Sequence, residues 1–394
     1  MSWRGKPERV QTLRGAAAIA VGFNALLIIG LFAPLLGALA DEHRLSAPQI
    51  GLAATVELLA MAIAAGTAGA RLPPRRLRTI GVAASLALAA ADLAMSGAAG
   101  MQVLALRAMA GAAEGLLLWI VIGMIARTQT PERWAAVLFT GVTAIQLAVA
   151  FAYAVVVIPR FGASGGYAVL AVCAIAGVAP ALALPSRYEP LPVALGQSGL
   201  PPRRGWIALA ATLIFTSANG AVAVYLQRFA LQAGLSADVA RTAVWVALAA
   251  QVCGSAAATA LAGKVRWLPV FALGTVVWLA VWTCLSLRVP AEVFIAANAL
   301  SGLVALFVSP FYVPLAIEAD PSRRAAMQTG AAQLLGAAAG PLMAYRLVSE
   351  QDAHKVLVLG GGLLLTGLAV MAWLQATAKR DSAVEMSGKV VPPG

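Results

Sequence analysis

Residues 101–126 read MQVLALRAMAGAAEGLLLWIVIGMIA and carry only two charges, Arg107 and Glu114. As a helix rising about 1.5 Å per residue, this stretch would reach roughly 39 Å, enough to cross the ~30 Å hydrocarbon core of a bilayer. Runs of the same kind recur along all 394 residues, at 15–40, 50–70, 79–95, 134–158, 167–184, 206–227, 242–262, 267–287, 293–317, 325–345 and 356–377. Their lengths suit helices rather than the ten-residue alternating strands of an outer-membrane barrel, and hydrocarbon admits no third way of satisfying the backbone.

Composition points the same way. The chain is 61% hydrophobic and 11% charged, with mean hydropathy +0.85, whereas soluble domains are about a quarter charged. A globule of this size in water could not hide so much apolar surface. The sequence predicts an all-α polytopic membrane protein with about twelve transmembrane helices. The start resembles a secretory signal, ending Ala38-Leu39-Ala40 before Asp41. However, the run 15–40 is too long for a cleaved apolar core, so it is read as span 1.

The net charge of +12 does not form a nucleic-acid surface, because the basic residues lie in short loops rather than in one patch with interleaved aromatics. With the N-terminus placed in the cytoplasm, 20 of the 28 Lys and Arg residues fall on that side and 7 on the other, Arg107 being inside a span. That skew predicts cytoplasmic N- and C-termini in a cytoplasmic (inner) membrane. Trp134, Trp206, Trp267 and Trp373 fall at the cytoplasmic ends of spans, where amphipathic rings prefer to sit.

Catalysis finds no support. Cys173, Cys253 and Cys284 are odd in number, lack a Cys-x-x-Cys motif and sit in apolar runs. His43 and His354 have no ligand spacing around them. No nucleotide-binding motif is present. The expectation is a protein that is not an enzyme, with no metal and no cofactor.

A polar, Pro-rich loop at 185–205 separates six spans from six, dividing the chain into a bundle at 1–184, a cytoplasmic linker at 185–205, a second bundle at 206–377 and a cytoplasmic tail at 378–394. The halves echo each other at an offset near 190. Pro131-Glu132-Arg133-Trp134 matches Pro321-Ser322-Arg323-Arg324, Thr140-Gly141 matches Thr329-Gly330, and Arg107-x-x-x-Gly111 matches Asn298-x-x-x-Gly302.

This plan resembles the major facilitator superfamily of secondary transporters. Leu104-x-x-Arg107-x-x-x-Gly111 is similar to its intramembrane Arg motif, and Gly69-Ala-Arg71-Leu-Pro-Pro-Arg75-Arg76-Leu-Arg78 is similar to its basic loop between spans 2 and 3. The resemblance implies two pseudo-symmetric six-helix bundles rocking about a midplane site. It puts spans 1, 4, 7 and 10 on the cavity and makes Gly69, Arg71, Arg75, Arg76 and Arg78 a conformational latch. Two departures stand out: Pro73 occupies the slot nearest the usual Asp, and Gly141 lacks the following Pro of drug–proton antiporters.

An ionisable side chain in hydrocarbon costs about 2.5 kcal/mol or more and is a functional candidate by default. Glu57, Asp92, Arg107 and Glu114 qualify, all in the first half. Arg107, Gly111 and Glu114 share a helical stripe, but Arg107 and Glu114 are roughly 10 Å apart along the axis. Arg107 is therefore paired with Glu57, leaving Glu114 to take and release protons. On the alternative reading, Arg107–Glu57 is structural and Glu114 binds substrate or water. Asp92, near the end of span 3, is expected to meet water. Asn24, Trp119, Gln146, Asn219, Gln251, Asn298 and Gln333 are candidate cavity residues, and Gln328 a further polar one, with interhelical hydrogen bonding the competing role. Trp245, Trp278 and Trp282 offer stacking surfaces, with packing the competing role. Pro34, Pro180, Pro310 and Pro314 are expected to mark kinks.

The expected function is secondary active transport of a small organic solute, neutral or monoanionic, coupled to protons, by a monomer in the lipid bilayer. The missing span 5 motif favours uptake symport. A drug or metabolite efflux antiporter, or a non-transporting receptor or scaffold of the same fold, is the alternative.

Overall fold

A computed structural model describes residues 8–45, 47–189, 200–223, 225–345 and 355–388. Arg4, Lys6, linker positions 190–199, His354 and the tail beyond Gly388 lie outside the described residues. Among the described residues the helices fall into twelve stretches, one over each predicted span. Among the described residues, nine helices are long and apolar enough to cross a membrane. The pair Gly15–Leu31 and Pro34–Asp41, bent by 50°, makes a tenth crossing. One of the nine, Pro131–Ala183, runs for 53 residues, more than twice what a bilayer needs. It folds back at Gly162, where φ is 61° and ψ −160°, a backbone conformation that glycine adopts without a Cβ penalty. It therefore supplies spans 5 and 6. Span 11 is Arg324–Tyr345, rich in Ala and Gly.

The kinks follow the prolines. Span 1 breaks into a 3-10 turn at Leu27–Leu31 just before Pro34. Span 6 breaks at Gly177, with Pro180 in its last segment, Val178–Ala183. Span 10 breaks at Ser309–Phe311, which contains Pro310, before Tyr312–Ala319, which contains Pro314. A break frees carbonyls that hydrocarbon cannot solvate. At span 1 they are met by Gln146 of span 5, whose Nε2 donates to Leu26 O at 2.7 Å and to Leu27 O at 3.4 Å.

Small residues set the closest helix crossings. Gly111 of span 4 (Met101–Ile125) lies so close to span 2 (Ala47–Arg71) that a Cβ there would come within 3.1 Å of Glu57 Cα. In the second half, a Cβ on Gly302 of span 10 would come within 3.1 Å of Ala247 Cα in span 8 (Ala237–Leu261). Glu57 and Ala247 stand 190 positions apart, so the repeat legible in the sequence is also a repeat of packing. The cores differ. The second half is held by an aromatic cluster, with Phe215–Phe271 at 5.2 Å, Phe271–Tyr312 at 4.9 Å and Trp278–Trp282 at 6.4 Å. The first half is aliphatic around a charged centre.

The halves meet through spans 2 and 11 and through spans 5 and 8. Hydrogen bonds that join them lie at the end carrying the 185–205 linker, here the linker face. Gln328 Nε2 donates to Gly66 O at 3.1 Å, Arg323 Nη1 donates to Ala126 O at 2.7 Å and Thr128 O at 2.9 Å, and the hydroxyls of Thr140 and Thr259 are 3.4 Å apart. Span 12 continues helical to Gly388, into the segment expected to be a tail.

Candidate functional site: a sealed charge cluster in the first bundle

Four ionisable side chains sit inside the first bundle with almost no exposure: Glu57 at 0%, Arg107 at 1%, Asp92 at 2% and Glu114 at 2%. They arrive on three helices: Glu57 on span 2, Asp92 on span 3 (Leu77–Ala94), and Arg107 and Glu114 seven residues apart on span 4. Arg107 is the hub. Its Nη1 donates to Glu57 Oε1 at 3.0 Å and its Nη2 to Asp92 Oδ1 at 2.5 Å. The two terminal nitrogens of a planar guanidinium thus bind separate carboxylates, a task that suits Arg and not Lys. Tyr167 of span 6 covers the guanidinium, with Cζ 4.8 Å from the ring centroid, a cation–π contact.

The Arg107–Glu57 pair is where the sequence places it. Asp92 is not. Instead of meeting water it is buried and ion-paired to Arg107, because span 3 turns that face inward onto span 4. Tyr167 was not singled out from the sequence, where it is one aromatic residue in an apolar run, and only the packing of span 6 on span 4 reveals its role. Glu114 forms no ion pair among the described residues, although Glu57, Arg107 and Asp92 are all within its electrostatic reach. The unsatisfied atoms concentrate here: Glu57 Oε2, Arg107 Nε, Glu114 Oε2 and the Tyr167 hydroxyl are buried with no hydrogen-bond partner among the described residues. Three carboxylates thus lie in a cluster with one guanidinium, which pairs with two of them. The described residues contain no group of three His, Cys, Asp or Glu side chains placed to hold a metal ion.

The uncharged candidates scatter. Gln146 is bound to the span 1 break. Asn24 is buried with its amide against Gly177 of span 6. Asn298, the counterpart of Arg107, is buried and donates to Phe294 O of its own helix at 2.7 Å. Trp119, Trp278 and Trp282 are core residues, whereas Trp245 is exposed. Asn219, Gln251 and Gln333 are half-buried. Gln328, from span 11, reaches Gly66 of span 2.

The basic loop after span 2 bonds mainly within its own half. Leu77 N donates to Ser186 O at 3.2 Å and Tyr188 N to Pro74 O at 3.0 Å. Arg75 pairs with Arg187 in an isolated backbone bridge, and Arg78 donates to Leu184 O. Arg71, Arg75 and Arg76 are exposed, Arg76 with φ 55°. Gly69 faces the other half, where a Cβ would come within 3.0 Å of Gln328 Nε2.

Residues 18–344 match the sequence profile of the Major Facilitator Superfamily. The chain belongs to this superfamily. No curated protein matches it in sequence. Solved structures of the superfamily share its fold. The human organic anion transporter MFSD10 (TETRAN) superposes with a TM-score of 0.74 at 14% identity, covering 93% of this chain and 100% of that one. The MFS transporter FucP in the outward conformation gives 0.68 at 14% identity, covering 93% and 99%. A bacterial homologue of the iron transporter ferroportin, in an outward-facing state, gives 0.70 at 12% identity, covering 93% and 100%. At these identities the likeness establishes the fold, a transporter fold of two six-helix bundles spanning a membrane. In this MFS protein the charge cluster lies wholly within the first bundle.

Proposed function

We propose that this protein is a proton-coupled secondary active transporter for a small organic solute, and that the Glu57–Asp92–Arg107–Glu114 cluster carries the coupling. The observation that carries the proposal is the charge balance of the sealed cluster. One guanidinium neutralises one carboxylate, and two further negative charges in hydrocarbon would be prohibitively costly. Protons neutralise carboxylates at no cost in space, and burial favours the protonated form. Glu114, which has no ion-pair partner among the described residues, is the group assigned to bind and release the coupling proton, and Arg107 with Glu57 and Asp92 senses its charge.

Losing that proton raises the electrostatic cost of the closed cluster, and spans 2 and 4 carry the consequence. Span 2 meets the second half through Gln328, and span 4 meets it through its own C-terminal end. A change of charge thus biases how the bundles rock. The second half brings no charged side chain into the middle of its spans, which favours a neutral or monoanionic cargo. With the linker face assigned to the cytoplasm by the Lys and Arg skew, the described conformation is closed on the cytoplasmic side. The linker 185–205 joins the bundles 1–184 and 206–377, and a monomer in the cytoplasmic membrane suffices.

The test is solute flux in proteoliposomes with and without an imposed proton gradient, over a broad panel of sugars, amino acids and organic anions. Gradient-driven accumulation of one class is expected. Glu114→Gln should abolish accumulation while leaving cargo exchange at equal pH intact. Flux by Glu114→Gln that still follows the gradient would remove Glu114 from the coupling step.

A further inference from the structure

We propose that Arg323, in the loop before span 11, is the latch that holds the linker face shut, by capping the C-terminal end of span 4 from the opposite bundle. A helix leaves its last four carbonyls unpaired and carries partial negative charge at that end. At the end of span 4 the carbonyl of Ala126, its C-cap, and that of Thr128, in the turn that follows, accept from Arg323 Nη1 at 2.7 and 2.9 Å. The cap comes from a residue nearly two hundred positions away, so it exists only while the bundles are together at this face.

The loop is built to aim that side chain. Arg323 has φ 63°, in the left-handed region that non-glycine residues rarely adopt. Asp320 fixes the turn: its Oδ1 accepts from Ser322 N at 3.0 Å and Ser322 Oγ at 2.6 Å, its Oδ2 accepts from Ala325 N at 2.8 Å, and its carbonyl accepts from Arg323 N at 2.8 Å. Arg324 meanwhile donates to Leu200 O at the end of the linker. Neither alternative latch does the same job. The basic loop at 72–76 bonds to the start of the linker in its own half. Arg133, which occupies the matching place in the first half, caps no helix end among the described residues.

Arg127 keeps the latch shallow. It lies beside Arg323 at the same helix end, donating to Gly123 O at 2.6 Å and Glu189 O at 2.7 Å and stacking on Tyr188 at 5.4 Å. Burial pushes its guanidinium down to about 10, the Tyr188 contact opposing this and the nearby Arg323 adding to it. Arg127 is therefore still a cation at neutral pH and repels Arg323, although its own Nη1 also reaches Met327 Sδ of the second half at 3.7 Å. Such a closed state is poised to open.

The test uses the full chain in liposomes, with Cys173, Cys253 and Cys284 replaced by Ser and the Thr140→Cys/Thr259→Cys pair introduced. The native hydroxyls at those positions are 3.4 Å apart across the halves, so oxidative cross-linking reports closure. In this background Arg323→Ala should slow cross-linking about twofold, the change expected when a tenfold loss in the closed-to-open ratio acts on a gate that starts about nine-tenths closed. Arg323→Lys should fall between, and Arg133→Ala should cross-link at the parent rate. If Arg323→Ala does not fold, judged by gel filtration, Arg323→Gln takes its place. A parent rate in the folded Arg323 variant, or equal slowing by Arg133→Ala, overturns the latch. No cargo or gradient enters this assay, so its outcome is separate from that of the transport reading.

Discussion

Arg107, itself 1% exposed, holds two buried carboxylates with one guanidinium, and this makes it the most consequential single side chain in the first bundle. Removing one member of a buried ion pair leaves its partner uncompensated, at a cost of about 3–5 kcal/mol. Arg107→Ala should therefore lower the melting temperature of the detergent-solubilised protein sharply. Arg107→Lys should recover little of the loss, since a point charge cannot fork to Glu57 and Asp92 together. Equal melting of Arg107→Lys and the parent would mean that the fork is not what stabilises the cluster. Asp92 shows the limit of depth as a guide. Its place near the end of span 3 gives its height in the bilayer but not which way the helix turns it, and the helix turns it inward.

At the scale of elements, two features carry specific costs. Gly111 sits where a Cβ would overlap the Glu57 backbone, so Gly111→Ala must push span 2 off span 4 and draw Glu57 from Arg107. Overpacking of this kind costs about 1–3 kcal/mol, and the loss should appear both in melting temperature and in gradient-driven flux. Gly302→Ala, at the matching crossing with Ala247, should cost similar stability without touching a charge. Gln146→Leu tests the span 1 break: with Leu26 O deprived of its donor, a loss of about 1–3 kcal/mol is expected. An unchanged melting curve for this variant would show that other groups satisfy the break.

For the whole molecule, the Lys and Arg skew and the linker-face contacts give one picture of orientation and state. Single cysteines placed at Arg187 and Lys264 should be labelled by a membrane-impermeant thiol reagent only after the inner face is exposed, and one at Arg288 should be labelled from outside in intact cells. Labelling of the first two positions from opposite sides would overturn both the orientation and the even number of spans between them.

What the sequence settled by itself is what depends on solvation and local pattern. The apolar runs are long enough to span a bilayer, the prolines mark breaks in spans 1, 6 and 10, the 190-residue offset marks two related halves, and charges in hydrocarbon must have partners, which is why Arg107 and Glu57 could be paired from spacing and depth. What only the tertiary structure decided depends on how helices rotate and cross. That rotation buries Asp92 rather than wetting it, lays Tyr167 over Arg107, turns Gln146 and Asn24 onto neighbouring helices, and brings Arg323 of one half onto the end of span 4 in the other. These contacts join distant parts of the chain across faces that hydropathy cannot tell apart, because lipid-facing and bundle-facing surfaces are equally apolar when lipid is the solvent.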